Sequence, residues 1–304
     1  MRPIFIPITQ TISYRRAVMS VVNTNVSASI AQAALAKNDR ALGTAMEQLS
    51  TGKKINSAGD NAAGLAISSR MTSQIRGLGA AISNANDAIS MVSTAEGALD
   101  EITAMMQRMR ELAVQSGTGT TSAADRTYMN SEYVALRSEI DRIADNTQWN
   151  GQNILDGSAG ASVGKSTVAF QVGANEKQTI STTFGNVNNT NGHMSALAST
   201  RLSAATIASA AIVASNAITR LDNTIADVSA QRATFGAVSN RLTHAIDNLT
   251  NVKTNSEAAR SRILDTDYSA ATSELARTQI IQQAGTAMLA QANALPATVL
   301  ALLQ

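Results

Sequence analysis

The longest regular pattern runs from about Ala62 to Gln115. Apolar residues recur there three or four apart, through Met71, Ile75, Leu78, Ile82, Ala85, Ile89 and Val92 and on through Leu99, Ile102, Met106, Met109 and Leu112. That spacing keeps one stripe on one face of a helix, with a period near 3.5, and predicts a long α-helix packed along other helices. The chain's prolines, Pro3, Pro7 and Pro296, all lie outside it. At about 1.5 Å per residue the helix is roughly 80 Å long. A compact chain of this length is only about 50 Å across, so an elongated molecule is expected.

Shorter patterns flank this helix. Val26, Ile30, Ala34, Leu42, Met46 and Leu49 predict a first helix that stops at Ser50-Thr51-Gly52, with glycine as the stop signal. Ser57 and Asp60 have the spacing of a capping box opening the long helix, and Ser122 with Asp125 repeats it. Met129, Tyr133, Leu136, Ile140 and Ile143 then carry a helix to about Asp145. Asn150-Gly151 and Asp156-Gly157 read as turns. Val168, Phe170 and Val172 alternate ahead of Gly173-Ala174-Asn175 and Thr179–Thr183, which predicts a β-hairpin. A second long seam runs from Ile207 through Leu221, Val228, Phe235 and Leu242 to Val252. A polar break is expected near Asn255 to Asp267, then a last helix with Leu275, Ile281, Met288, Leu295, Val299 and Leu303. The fold class is therefore mainly α: an elongated bundle of long antiparallel helices with a small hairpin region in the middle of the chain.

Composition narrows the chemistry. Aromatics are only 3%, so burial must come from Ala, Leu, Ile and Met seams rather than a large aromatic core. The absence of cysteine removes disulfides and Cys-containing zinc sites. A net charge of +2 gives no reason to expect nucleic acid as a partner. No apolar run approaches the ~20 residues that span a bilayer, and Ile4-Phe5-Ile6, broken by Pro3 and Pro7, is too short for a secretory signal core. Gly160 to Ser166 falls one residue short of a phosphate-binding loop, with Ala159 at the first glycine position and a strand pattern following it; it reads as a turn. Asp265 with Asp267 and Glu139 with Asp141 read as a helix cap and a solvated face. His193 and His244 have no second ligand nearby. No catalytic, cofactor or metal constellation emerges, and none is expected.

The terminal helices are rich in Ala, Gln, Asn, Ser and Thr, with thin apolar stripes. Ordering each residue costs about 1–2 kcal/mol of backbone entropy against about 25 cal/mol per Å² buried. An isolated pair of such helices does not offset that cost, so the sequence asks for self-association. The expected polymerisation seam is Leu35, Leu42, Leu49, Ile281, Met288 and Leu295.

Five segments carry a family resemblance. LSTGKKINSAGDNAAGLAIS (Leu49 to Ser68), QRMRELAVQS (Gln107 to Ser116), NTQWNGQNIL (Asn146 to Leu155), FQVGAN (Phe170 to Asn175) and AQANALPATVLALLQ (Ala290 to Gln304) resemble, in order, motifs of bacterial flagellin. The resemblance implies a subunit that polymerises into the extracellular flagellar filament for swimming motility. It implies export by the type III apparatus with a chaperone, and contact with filament cap and hook-associated proteins. It divides the chain into an atypical extension (1–18), an N-terminal D0 segment (19–64), N-terminal D1 helices (65–156), a short variable hairpin region (157–200), a C-terminal D1 helix (201–257) and a C-terminal D0 segment (258–304). It also implies an innate immune receptor footprint at Arg108, Leu112 and Glu132. Family members begin near a segment like Ser20 to Asn25, so assembled subunits are expected to start at or just after Met19. Two other functions fit the same residues: a hook–filament junction protein, and a surface relative acting as an adhesin or polysaccharide-binding protein.

Overall fold

The computed structural model describes residues 24–157, 166–187, Leu202 and 207–301. The 1–18 extension and the Gly160–Lys165 turn lie outside the described residues. Among those described are five helices and two small antiparallel hairpins: α1 (Val26–Thr51), α2 (Ala62–Ser116), α3 (Ala123–Asn146), β1 (Gln148–Trp149), β2 (Gln152–Asn153), β3 (Ser166–Gln171), β4 (Thr179–Phe184), α4 (Ile207–Leu264) and α5 (Tyr268–Ala301). The chain divides into two compact units, Met1–Ala66 with Ser261–Gln304, and Ile67–Arg260.

In the second unit the long stripe does what its spacing predicts. Leu99, Ile102, Met106, Met109 and Leu112 of α2 are buried against Tyr133 and Ile140 of α3 and Leu221, Val228 and Phe235 of α4. Each such side chain contributes about 1.5–3 kcal/mol when fully buried. Phe184 of β4 meets Phe235 with ring centroids 5.1 Å apart, fastening the β3–β4 hairpin to α4. The hairpin pairs Val168 with Thr182 and Phe170 with Ile180, and Ile180, Thr182 and Phe184 alternate inward. Arg126 is buried beside the end of α2, where its Nε donates to the Ser116 carbonyl (3.1 Å) and Nη2 to that of Thr118 (3.2 Å). It thereby satisfies acceptors that the helix end leaves open. Exposed pairs Arg110–Asp222 (2.6 Å) and Arg232–Asp100 (2.9 Å) link α2 to α4, each worth about 0–1 kcal/mol.

In the first unit, α1 ends with Gly52 in the left-handed conformation (φ 68°), as its stop signal requires. Two corrections concern boundaries. The Ser57/Asp60 pair does not cap α2: the Asp60 carboxylate accepts the N–H groups of Asn56 and Ser57 inside the connector, while Asn61 Oδ1 accepts the Gly64 N–H (2.8 Å) at the helix start. Those backbone donors hold the Asp60 carboxyl below its ordinary range. The polar break expected from Asn255 is mostly helix. α4 continues to Leu264, since no proline or glycine interrupts Val252 to Leu264 and the polarity there is that of a largely exposed surface. Only Asp265–Asp267 separates it from α5, which Asp267 caps through Oδ1 to the N–H of Ser269 and Ala270. The Ser122/Asp125 capping box of α3 is present as expected.

Candidate assembly interface

The first unit pairs α1 with α5 antiparallel. The fully buried residues of the inner seam are small. Ala31, Asn38 and Ala45 recur at heptad spacing on α1, and Ala271, Thr278, Gly285 and Ala292 recur likewise on the facing α5. Asn38, Ala45, Ala271, Thr278 and Ala292 are buried. Small residues let the two backbones approach closely: a Cβ on Gly285 would stand 3.1 Å from Leu35 Cγ. Side-chain amides then bond to the facing helix. Asn25 Nδ2 donates to the Ala292 carbonyl (2.7 Å), Asn38 Nδ2 to that of Thr278 (2.8 Å) and Gln282 Nε2 to Asp39 Oδ1 (2.9 Å). At the other end of the pair the connectors clasp through Lys54 N–H to the Leu264 carbonyl (2.7 Å) and Thr266 N–H to that of Gly52 (3.1 Å).

Leu35 packs over Gly285 on this seam, but several other bulky apolar residues face solvent. Val26, Ile30, Ala34 and Met46, read from periodicity as the buried stripe of the first helix, are exposed. Ile280, Ile281 and Met288 of α5 are exposed as well. Of the expected polymerisation residues, Leu35, Leu42 and Leu49 are half-buried, Ile281 and Met288 stand in solvent, and the Leu295 side chain lies outside the described residues. The sequence reading missed Asn25, Asn38 and Gly285. For Asn38 and Gly285 the signal was the heptad recurrence of small residues, which a search for large apolar positions passes over, and Asn25 is the N-cap of α1.

Arg108 and Glu132 lie on the surface of the second unit, with Arg108 Nε donating to Glu132 Oε1 at 2.9 Å and Nη1 to Glu111 Oε2 at 3.0 Å. Glu132 first, then Glu111, holds the guanidinium pKa above its ordinary value. Leu112, 2% exposed, corrects the expectation of a surface contact: it packs in the core with Met109. A shallow open groove between the end of α2 and the start of α4 has a volume of about 360 Å³ and is lined by Val114, Gly117, Thr118, Ala211, Ala214, Ser215, Ile218 and Thr219, none of them titratable. Among the described residues no cluster of three metal-ligating side chains occurs, and no helix is long and apolar enough to cross a membrane.

Comparison with known proteins follows the same helices. Residues 22–160 match the profile described as the bacterial flagellin N-terminal helical region, and residues 218–303 that of the bacterial flagellin C-terminal helical region. A flagellin of Halalkalibacterium halodurans is 44% identical over 93% of this chain and 100% of its own length. The flagellar filament 33 kDa core protein of Treponema phagedenis is 39% identical over 93% of this chain and 100% of its own length. Among solved structures, a putative flagellar hook-associated protein from Vibrio parahaemolyticus superposes with a TM-score of 0.55, covering 68% of this chain and 100% of that one. At 13% identity that likeness concerns fold alone.

Proposed function

The chain belongs to the bacterial flagellin family and is a structural subunit of the flagellar filament, and we propose that the outward face of the α1–α5 pair is the surface that neighbouring copies bury. One observation carries this reading. The pair spends its small residues on its own seam and turns Ile30, Met46, Ile280, Ile281 and Met288 to solvent. Each of those is worth about 1.5–3 kcal/mol once fully buried, a gain available only with a further copy. Of the expected seam, Ile281 and Met288 lie on that exposed face, whereas Leu35 packs over Gly285 between the two helices.

On this reading 19–64 and 258–304 form the D0 segments, 65–156 and 201–257 the D1 helices, and 157–200 the short variable hairpin region. The subunit leaves the cell unfolded through the type III apparatus with an export chaperone, and meets the cap and hook-associated proteins on the extracellular filament. Arg108 and Glu132 form the exposed part of an innate receptor footprint, while Leu112 lies buried in the core. The test is a charge on the outward face. Ile30→Asp and Ile281→Asp should each abolish seeded filaments seen by electron microscopy, while limited proteolysis still yields an intact fragment spanning Ile67–Arg260. Normal filaments from both variants would defeat the proposal.

A further inference from the structure

We propose that Met46 and Met288 are oxidative modification sites through which peroxide-class oxidants block filament assembly. The described methionines divide by unit. In the second unit Met91, Met106 and Met109 are buried and Met71, Met105 and Met129 partly so; in the first unit Met46 is 56% and Met288 65% exposed. A thioether is oxidised only where the oxidant reaches sulfur, so this division makes the first unit the reactive one. Both exposed sulfurs sit on the outward face of the α1–α5 pair. The proposal rests on the reading that neighbouring subunits cover that face.

The chemistry needs no catalyst. A sulfur lone pair attacks one oxygen of hydrogen peroxide, the O–O bond breaks, an S–O bond forms, and proton transfer to the departing oxygen releases water. Sulfur loses two electrons and the peroxide gains them. The product keeps the side chain's length but replaces a flexible apolar contact with a strong hydrogen-bond acceptor. Burying that acceptor against an apolar neighbour with no donor lowers affinity, by about tenfold or more per site.

Hydrogen peroxide on the full-length protein tests this. Peptide mass spectrometry of treated free subunits should find sulfoxide at Met46 and Met288 while Met91, Met106 and Met109 remain thioethers. Elongation from filament seeds should fall about tenfold or more, and methionine sulfoxide reductases of both epimer specificities should restore it. The Met46→Leu/Met288→Leu chain should elongate equally before and after peroxide. In assembled filaments the same treatment should leave both residues unmodified. Oxidised subunits that elongate at the untreated rate, or wild-type elongation that the reductases fail to restore, would overturn the proposal alone. Oxidation of both residues as fast in filaments as in free subunits would overturn the buried-face reading, and the proposal with it.

Discussion

The Asn25–Ala292 hydrogen bond can be tested through a residue that takes no part in it. α5 runs through Pro296, and a proline has no N–H to give the carbonyl four residues back. That carbonyl belongs to Ala292, which is 9% exposed, so water is a poor substitute. Asn25 Nδ2 supplies the missing donor at 2.7 Å, while its Oδ1 accepts the Ala28 N–H at 3.0 Å and caps α1. One side chain thus closes the start of one helix and repairs the end of the other. Asn25→Asp separates the two roles, keeping the cap acceptor and removing the donor. Leaving a buried carbonyl unsatisfied costs about 1–3 kcal/mol, and a carboxylate at a helix start returns about 0.3–1 kcal/mol. The net cost is roughly 1–2 kcal/mol, a factor of about 5 to 30 in the critical concentration for seeded assembly. Pro296→Ala gives α5 its own donor back. In that background Asn25→Asp should lower the critical concentration by about two- to fivefold instead of raising it, because only the favourable charge at the helix start remains. Four chains measured by sedimentation of filaments complete the cycle. An equal cost of Asn25→Asp with and without Pro296 would show that the amide is not compensating for the proline.

Two further outcomes follow from the second unit. The Tyr133 hydroxyl is buried without a partner, and burial pushes its pKa up to about 12 against the opposing pull of Arg137 and Arg220. A raised pKa contributes stability that is fully present below about pH 10 and is lost as pH rises toward 12, since the unfolded phenol ionises first. Tyr133→Phe should therefore match or exceed wild-type stability by about 0–1 kcal/mol at pH 8 and flatten the loss between pH 10 and 12 in urea melts; a destabilised variant with an unchanged alkaline limb would refute this. At the receptor surface, Arg108→Ala should reduce signalling in a flagellin-receptor reporter cell with little change in melting, because exposed pairs are worth about 0–1 kcal/mol. Leu112→Ala should lose about 2–5 kcal/mol by opening a core cavity, whereas Leu112→Met should keep both fold and signal. Loss of signal in Leu112→Met at wild-type stability would give Leu112 a direct contact after all.

The sequence was legible where burial depends on large side chains. α2, α3 and the β3–β4 hairpin were placed almost residue for residue, because Leu99, Ile102, Tyr133, Ile140 and Phe170 announce a core by size and spacing. Arg108, named from the QRMRELAVQS motif, and Glu132, named from the wider family resemblance, pair at 2.9 Å; periodicity alone would not have joined them, since they lie on different helices. Leu112 was misplaced because the same motif carried it, although its own position in the α2 stripe argued for the core. Polarity misled at the end of α4, where Asn255 and its neighbours are an exposed helix surface and not a loop.

The α1–α5 pair was misread for a physical reason that bears on assembly. Periodicity treats the largest apolar residues as the inside of a helix, and in a lone subunit that is their cheapest position. Here Ile30, Met46 and Met288 are outside, and the fully buried helix positions are alanine, asparagine and threonine, with Leu35 half-buried over Gly285. A buried alanine contributes little area, so at about 25 cal/mol per Å² the inner seam recovers only a small part of the roughly 1–2 kcal/mol per residue that ordering two helices costs. Its amide bonds add about 0.5–1.5 kcal/mol each, which fixes the partners' register more than it stabilises them. The large side chains supply the remainder only when a further copy covers them. A sequence with these residues inward would make a firmer subunit with nothing left to drive the filament.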